Sequence, residues 1–93
     1  MTRLSLRDRV TVARNVLFRD LEGEAVLLNL ASGTYFGLDP VGTRIWHLLR
    51  ERGRLLDVRD AIVREYDVTV DAITRDLLCF VGDLTVHGLV ERA

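Results

Sequence analysis

Side chains able to do acid–base, nucleophilic or metal chemistry are few in this chain, and their spacing brings none of them together. His47 and His87 stand far apart, and neither has a cysteine or carboxylate at ligand spacing, so no metal site is expected. His87 falls near the end of an expected helix, where an imidazole interacts favourably with the helix dipole. Cys79 has no histidine or helix start beside it to make it a nucleophile, and reads as a helix-surface or semi-buried residue. Glu22 and Glu24 flank a turn glycine and read as solvated. The glycines Gly23, Gly33, Gly37, Gly42, Gly53, Gly82 and Gly88 are dispersed, with no loop that would cradle a phosphate. The side chains therefore call for no catalysis, no cofactor and no metal. The chain reads as a binder.

The chemistry that remains belongs to the main chain. The run Val26-Leu27-Leu28-Asn29-Leu30-Ala31-Ser32-Gly33-Thr34-Tyr35-Phe36-Gly37-Leu38-Asp39-Pro40 reads as two strands around a Ser-Gly turn, followed by a sharp helix start. Its second strand comes last in a short meander and should lie at a sheet edge. Such an edge keeps unpaired N–H and C=O groups that accept another chain, which makes peptide capture by strand addition the leading expectation.

Size and composition set the frame. The 93 residues leave room for one small domain over residues 1–93, with hydrophobic content of 48% and charged content of 29%. The formal charge is −1, and all 13 basic residues are arginine. That balance forecasts no binding to bulk nucleic acid or to an anionic membrane surface. The lone cysteine forbids an intramolecular disulfide, and the start, Met1 to Arg9, lacks the apolar core of a signal peptide. No apolar stretch approaches the length of a bilayer span. A cytoplasmic location is expected.

The elements that must position the strand edge follow from patterning. Arg9 to Ala13 alternates like a short strand or an ordered lead-in, Val16 to Leu21 reads as a better strand, and Glu22-Gly23 as a turn. Ala25 to Leu30 and Thr34 to Leu38 complete an antiparallel meander. Asp39 caps a first helix with Pro40 at its first position; Val41, Ile45, Leu48 and Leu49 form its stripe and Gly53 ends it. A second helix starts near Asp57 and turns Val58, Ala61, Ile62 and Tyr66 inward. A third runs from Thr69 to about His87, with Val68 and Ile73 placed as a hydrophobic staple. Strands first and helices after give an α+β domain: a three-stranded antiparallel sheet followed by three helices.

The third helix is wider in its apolar arc than packing requires. At about 100° per residue, Val70, Ile73, Leu77, Phe80 and Leu84 share one face. Thr74, Leu78, Val81 and Thr85 extend it on one side, while Asp71, Arg75, Asp76 and Asp83 hold the other flank and the back. Two readings stand. Leu78 and Val81 meet the earlier helices, or they face an incoming strand beside the sheet edge. Gly37 within a strand marks either a bulge or the close approach of another backbone. Tyr35 and Phe36 point to opposite faces, and the sequence leaves open which joins the core.

The stretch Leu28 to Trp46, with Glu65-Tyr66-Asp67-Val68, Asp76-Leu77-Leu78 and Leu84 to Val90, resembles the PqqD-like family over roughly Val16 to Val90. The resemblance implies a winged helix-turn-helix-like domain that recognises the leader of a ribosomally made precursor peptide. It implies that the leader adds as an antiparallel strand to the third strand, in a cleft walled by the third helix. By that likeness Gly33, Thr34, Tyr35, Phe36, Gly37 and Leu38 supply the edge. Thr74, Leu78, Val81 and Thr85 line the pockets, and Asp71 and Arg75 pair with charged leader residues. Tyr35-Phe36-Gly37-Leu38-Asp39 and Ile45-Trp46 look more like the lasso-peptide leader-binding subunit, whose partners are a leader protease and a cyclase, than the quinone-cofactor pathway protein, whose partner is a radical enzyme.

Two further readings come from other classes. A DNA-binding winged helix shares the element order, yet Asp71, Asp76 and Asp83 against Arg75 alone would repel a duplex. The other is a homodimer paired edge to edge through Thr34 to Leu38.

Overall fold

The computed structural model describes residues 4–93; residues 1–3, which belong to the N-terminal segment read above for targeting signals, lie outside it. Eight elements follow one another: β1 (Val10–Val12), β2 (Val16–Leu21), β3 (Glu24–Asn29), β4 (Thr34–Gly37), α1 (Pro40–Arg52), α2 (Leu55–Glu65), α3 (Val70–Val86) and β5 (Val90–Arg92). The expected α+β order holds, with a sheet in the order β2-β3-β4 followed by three helices. One feature was not expected. The last strand, β5, returns to pair antiparallel with β1 as a separate two-stranded ribbon.

Local chemistry explains the meander. Glu22 and Gly23 both take positive φ, 54° and 83°, which gives the two-residue turn whose twist suits a hairpin. The hairpin pairs Leu17 with Leu28 and Leu21 with Glu24, and the next places Leu28 opposite Tyr35 and Val26 opposite Gly37. That second register runs without a bulge, so Gly37 does not mark one.

β4 ends where Asp39 takes over. The Asp39 carboxylate accepts the Gly42 N–H at 2.7 Å, and Pro40 occupies the first turn, where no donor is lost. Leu38 N–H still donates to the Ala25 carbonyl, but the Ala25 N–H turns to the buried Thr43 hydroxyl at 2.8 Å. Thr43 thus satisfies the strand donor that β4 leaves as it peels away into α1.

The core lies between the sheet's inner face and the helices, and joins Leu27, Ile45, Trp46, Leu48, Leu55, Val58, Ile62, Leu77, Val81, Leu84, Leu89 and Val90. Phe18 meets the Trp46 ring edge to face at 5.9 Å. α2 begins at Leu55, two residues ahead of Asp57, without a side-chain cap, because its N-cap residue is Arg54, whose guanidinium has no acceptor to offer. α3 starts as expected, with the Thr69 hydroxyl accepting the Ala72 N–H. Two positions expected inward are not: Val70 is 46% and Val41 40% exposed, both in first turns that overhang the end of the core.

Candidate functional site: a strand edge beside the third helix

β3 pairs β4 along one side only, so the other side of β4 is an open sheet edge. Leu38 N–H donates to Ala25, and in an antiparallel ladder bonded and non-bonded residues alternate. Phe36 therefore turns its main-chain groups to β3, while Tyr35 and Gly37 turn theirs outward. These two residues offer the N–H and C=O groups that another strand would take.

The side chains sort the other way. Phe36 lies on the helix side, half-buried against the core, with its ring 4.7 Å from the His87 imidazole. Tyr35 is 68% exposed on the opposite face. The question left open by the sequence is settled by the core, which sits under Phe36.

Between β4 and α3 runs a groove divided by Phe80. One compartment, about 330 Å³, is lined by Gly37, Leu38, Asp39, Val41, Gly42, Ile45, Asp76 and Phe80. The other, about 530 Å³, is bounded by Tyr35, Phe36, Asp83, Leu84, His87 and Leu89 and shares Gly37, Leu38 and Phe80. The start of β4 thus lies beside the end of α3, so the two elements run in opposite directions. Gly42 keeps the first compartment open: a Cβ there would meet the Asp39 carboxylate at 3.1 Å and the Phe80 ring at 3.6 Å.

Several expected contacts are rearranged. Of the edge residues, Tyr35, Phe36, Gly37 and Leu38 line the groove, and Thr34 and Gly33 lie just before it, Gly33 in the turn. On α3 the groove wall is Asp76, Phe80, Asp83 and Leu84, whereas Thr74, Leu78, Val81 and Thr85 line neither compartment. Val81 is fully buried, so its side chain is core and not groove. Measured from Leu77 at the centre of the buried stripe, Phe80, Asp76 and Asp83 turn roughly 60° to 120° one way and Leu78, Thr74 and Thr85 a similar amount the other way. A helical wheel reports both flanks and cannot say which meets β4; α3 also packs on α2, and Val81 is closed into that side of the core. Asp71 and Arg75 are exposed and line neither compartment. Thr74 and Thr85 spend their hydroxyls on the carbonyls of Val70 and Val81 in the preceding turn.

Asn29 ties the groove together. It is buried, its Nδ2 donates to the His87 carbonyl at 2.8 Å, and its Oδ1 accepts from Asn15 Nδ2 and the Ala31 N–H. The far face of the sheet carries a further depression of about 450 Å³ over Leu17, Arg19, Leu21, Val26, Leu28 and Tyr35. It covers the pleat and not the edge, so it offers no run of main-chain groups. Among the described residues no three His, Cys, Asp or Glu side chains converge as a metal site, and no helix is long and apolar enough to cross a membrane.

Comparison with known proteins agrees with this architecture. The chain superposes on the structure of TbiB1 in complex with the TbiA(beta) leader peptide with a TM-score of 0.84, at 43% identity, over 87% of this chain and 94% of that one. It superposes on lasso peptide synthetase B1 complexed with the leader peptide at a TM-score of 0.81 and 23% identity, over 89% and 98% of the two chains, a likeness of fold. Among curated proteins, no sequence matches the chain. Residues 24–90, from β3 through β5's first residue, match the family described as coenzyme PQQ synthesis protein D, and the chain belongs to that PqqD family.

Proposed function

We propose that this protein binds the leader region of a ribosomally synthesised precursor peptide as an added strand on β4, without catalysing a reaction itself, and presents it to the enzymes that process it. The observation that carries the reading is the open β4 edge, with Tyr35 and Gly37 turned outward beside a groove walled by Phe80. Each main-chain bond so gained contributes roughly 0.5–1.5 kcal/mol and is nearly blind to sequence. Selectivity then falls to leader side chains that enter the two compartments. The structure of the 43% identical relative is a complex with a leader peptide, which supports the same ligand class here.

The pathway we assign is lasso-peptide biosynthesis in the cytoplasm, with a leader protease as partner. The likeness of Tyr35-Phe36-Gly37-Leu38-Asp39 and Ile45-Trp46 to lasso leader-binding subunits supports it over the quinone-cofactor route. Titration of the labelled protein with the TbiA(beta) leader peptide, followed by amide shifts, tests the binding. Shifts concentrated at Thr34 to Leu38 and at Asp76 to His87, with micromolar or tighter affinity, are expected. An unchanged spectrum, with the fold intact, would overturn the reading.

A further inference from the structure

The groove beside β4 is apolar at its floor and carries one sign of charge at its rim. Phe36, Leu38, Ile45, Phe80, Leu84 and Leu89 supply the floor. Asp39 and Asp76 border the compartment at the Gly37 end, and Asp83 borders the one at the Tyr35 end. The chain has 13 arginines, yet among the described residues none lines either compartment. Four carboxylates outside the groove are paired with a base: Glu65 with Arg44, Asp20 with His47, Asp60 with Arg59 and Asp8 with Arg92. Asp76 and Asp83 have no such partner among the described residues. The groove therefore holds three carboxylates and the His87 imidazole but no arginine, so an incoming strand meets a negative potential before it meets the apolar floor.

Resting on the leader-binding reading, we infer that Asp76 and Asp83 are specificity residues that select a leader carrying Lys or Arg on both sides of its apolar anchoring segment. Direction assigns each contact. A strand antiparallel to β4, like every other pair in that sheet, runs parallel to α3. Its N-terminal flank then lies over Asp39 and Asp76, and its C-terminal flank over Asp83. The two α3 carboxylates are seven residues apart, about 10 Å along the helix, the span of about three residues of extended peptide. A single anchored segment fits between them.

The test uses the TbiA(beta) leader peptide as parent and versions in which the residues flanking the β4-paired segment are both Lys, both Gln or both Glu. The Lys version is expected to bind at least about tenfold tighter than the Glu version at low salt, with Gln between them and the gap narrowing at high salt. Asp76→Lys should recover binding of a peptide with Glu at the N-terminal flank alone, and Asp83→Lys one with Glu at the C-terminal flank alone. Equal affinities for the three flanks would overturn the charge assignment while leaving strand capture intact. Recovery by the opposite variant would overturn the direction. Failure of the parent and every version to bind would instead reject leader binding itself, on which the inference depends.

Discussion

Asn29 Nδ2 donates to the His87 carbonyl at 2.8 Å, joining the last residue of β3 to the residue that caps α3. The bond ties the turn from which β4 leaves to the end of α3, where His87 bounds the wider compartment. The same side chain accepts the Ala31 and Ser32 N–H groups through Oδ1, so one buried amide sets both the β3–β4 turn and the distance from that turn to the helix end. Gly88 must be small here: a Cβ would sit 3.1 Å from Asn29 Nδ2.

Replacing this amide separates stability from groove geometry. Asn29→Leu keeps much of the volume but leaves the Asn15 amide and the His87 carbonyl without their partner. A loss of about 1–3 kcal/mol in urea unfolding is expected. Leader affinity should fall further than the fraction unfolded explains, because the turn and the helix end are no longer joined. An unchanged unfolding midpoint would show the hub to be dispensable.

The alternation of main-chain groups along β4 predicts opposite outcomes for two adjacent prolines. Tyr35→Pro removes an outward donor on an edge strand, where proline is tolerated, so the fold should persist and leader binding should weaken about tenfold. Phe36→Pro removes a donor to β3 and an aromatic packed against the core, so circular dichroism should report lost structure. A folded Phe36→Pro beside an unfolded Tyr35→Pro would mean that the register is reversed.

What was legible in the sequence was whatever local chemistry dictates. Asp39-Pro40, Thr69 and Glu22-Gly23 mark boundaries that depend only on capping or positive φ, and each lies where it was read. β5 was not legible because Val90-Glu91-Arg92 has no period of its own and becomes a strand only through β1, across the whole chain. The groove between β4 and α3 is lined on the helix by Asp76, Phe80, Asp83 and Leu84, the flank opposite the one the helical wheel suggested. Thr74, Leu78, Val81 and Thr85 looked like a wall because they are uncharged, whereas the residues that line the groove beside β4 are the mixed flank with Asp76, Phe80 and Asp83. Charge on a helix usually signals solvent, and a shallow groove open to water is solvent on one side.

That exchange of flanks is itself testable. Phe80 divides the groove and is only half-buried, so Phe80→Ala should fold, with a cost below that of a fully buried aromatic, and lose leader affinity by an order of magnitude or more. Val81→Asp buries an unpaired carboxylate at a position with no exposure and should fail to fold. A folded Val81→Asp protein with impaired binding would return the wall to the other flank.

Arg44 and Glu65 give stability a pH dependence of known sign. The guanidinium of Arg44 on α1 meets the Glu65 carboxylate on α2 with two bonds, at 2.7 and 2.8 Å. Those hydrogen bonds hold the Glu65 carboxyl below its ordinary range, against a smaller opposing effect of desolvation, and Glu65 in turn holds the guanidinium charged. The folded state therefore binds the Glu65 proton more weakly than the unfolded chain does. The pair stabilises the fold above the ordinary glutamate pKa, and that contribution is lost as pH falls through the lower folded value. Both side chains are more than a third exposed, so the bidentate geometry is worth at most about 1 kcal/mol in water. Arg44→Gln and Glu65→Gln should each lower the urea midpoint slightly at neutral pH, and the double variant should lose no more than either alone. At about pH 3 the wild-type advantage over Glu65→Gln should shrink towards zero, and high salt should shrink it at neutral pH. An advantage that grew on acidification would contradict the assigned direction.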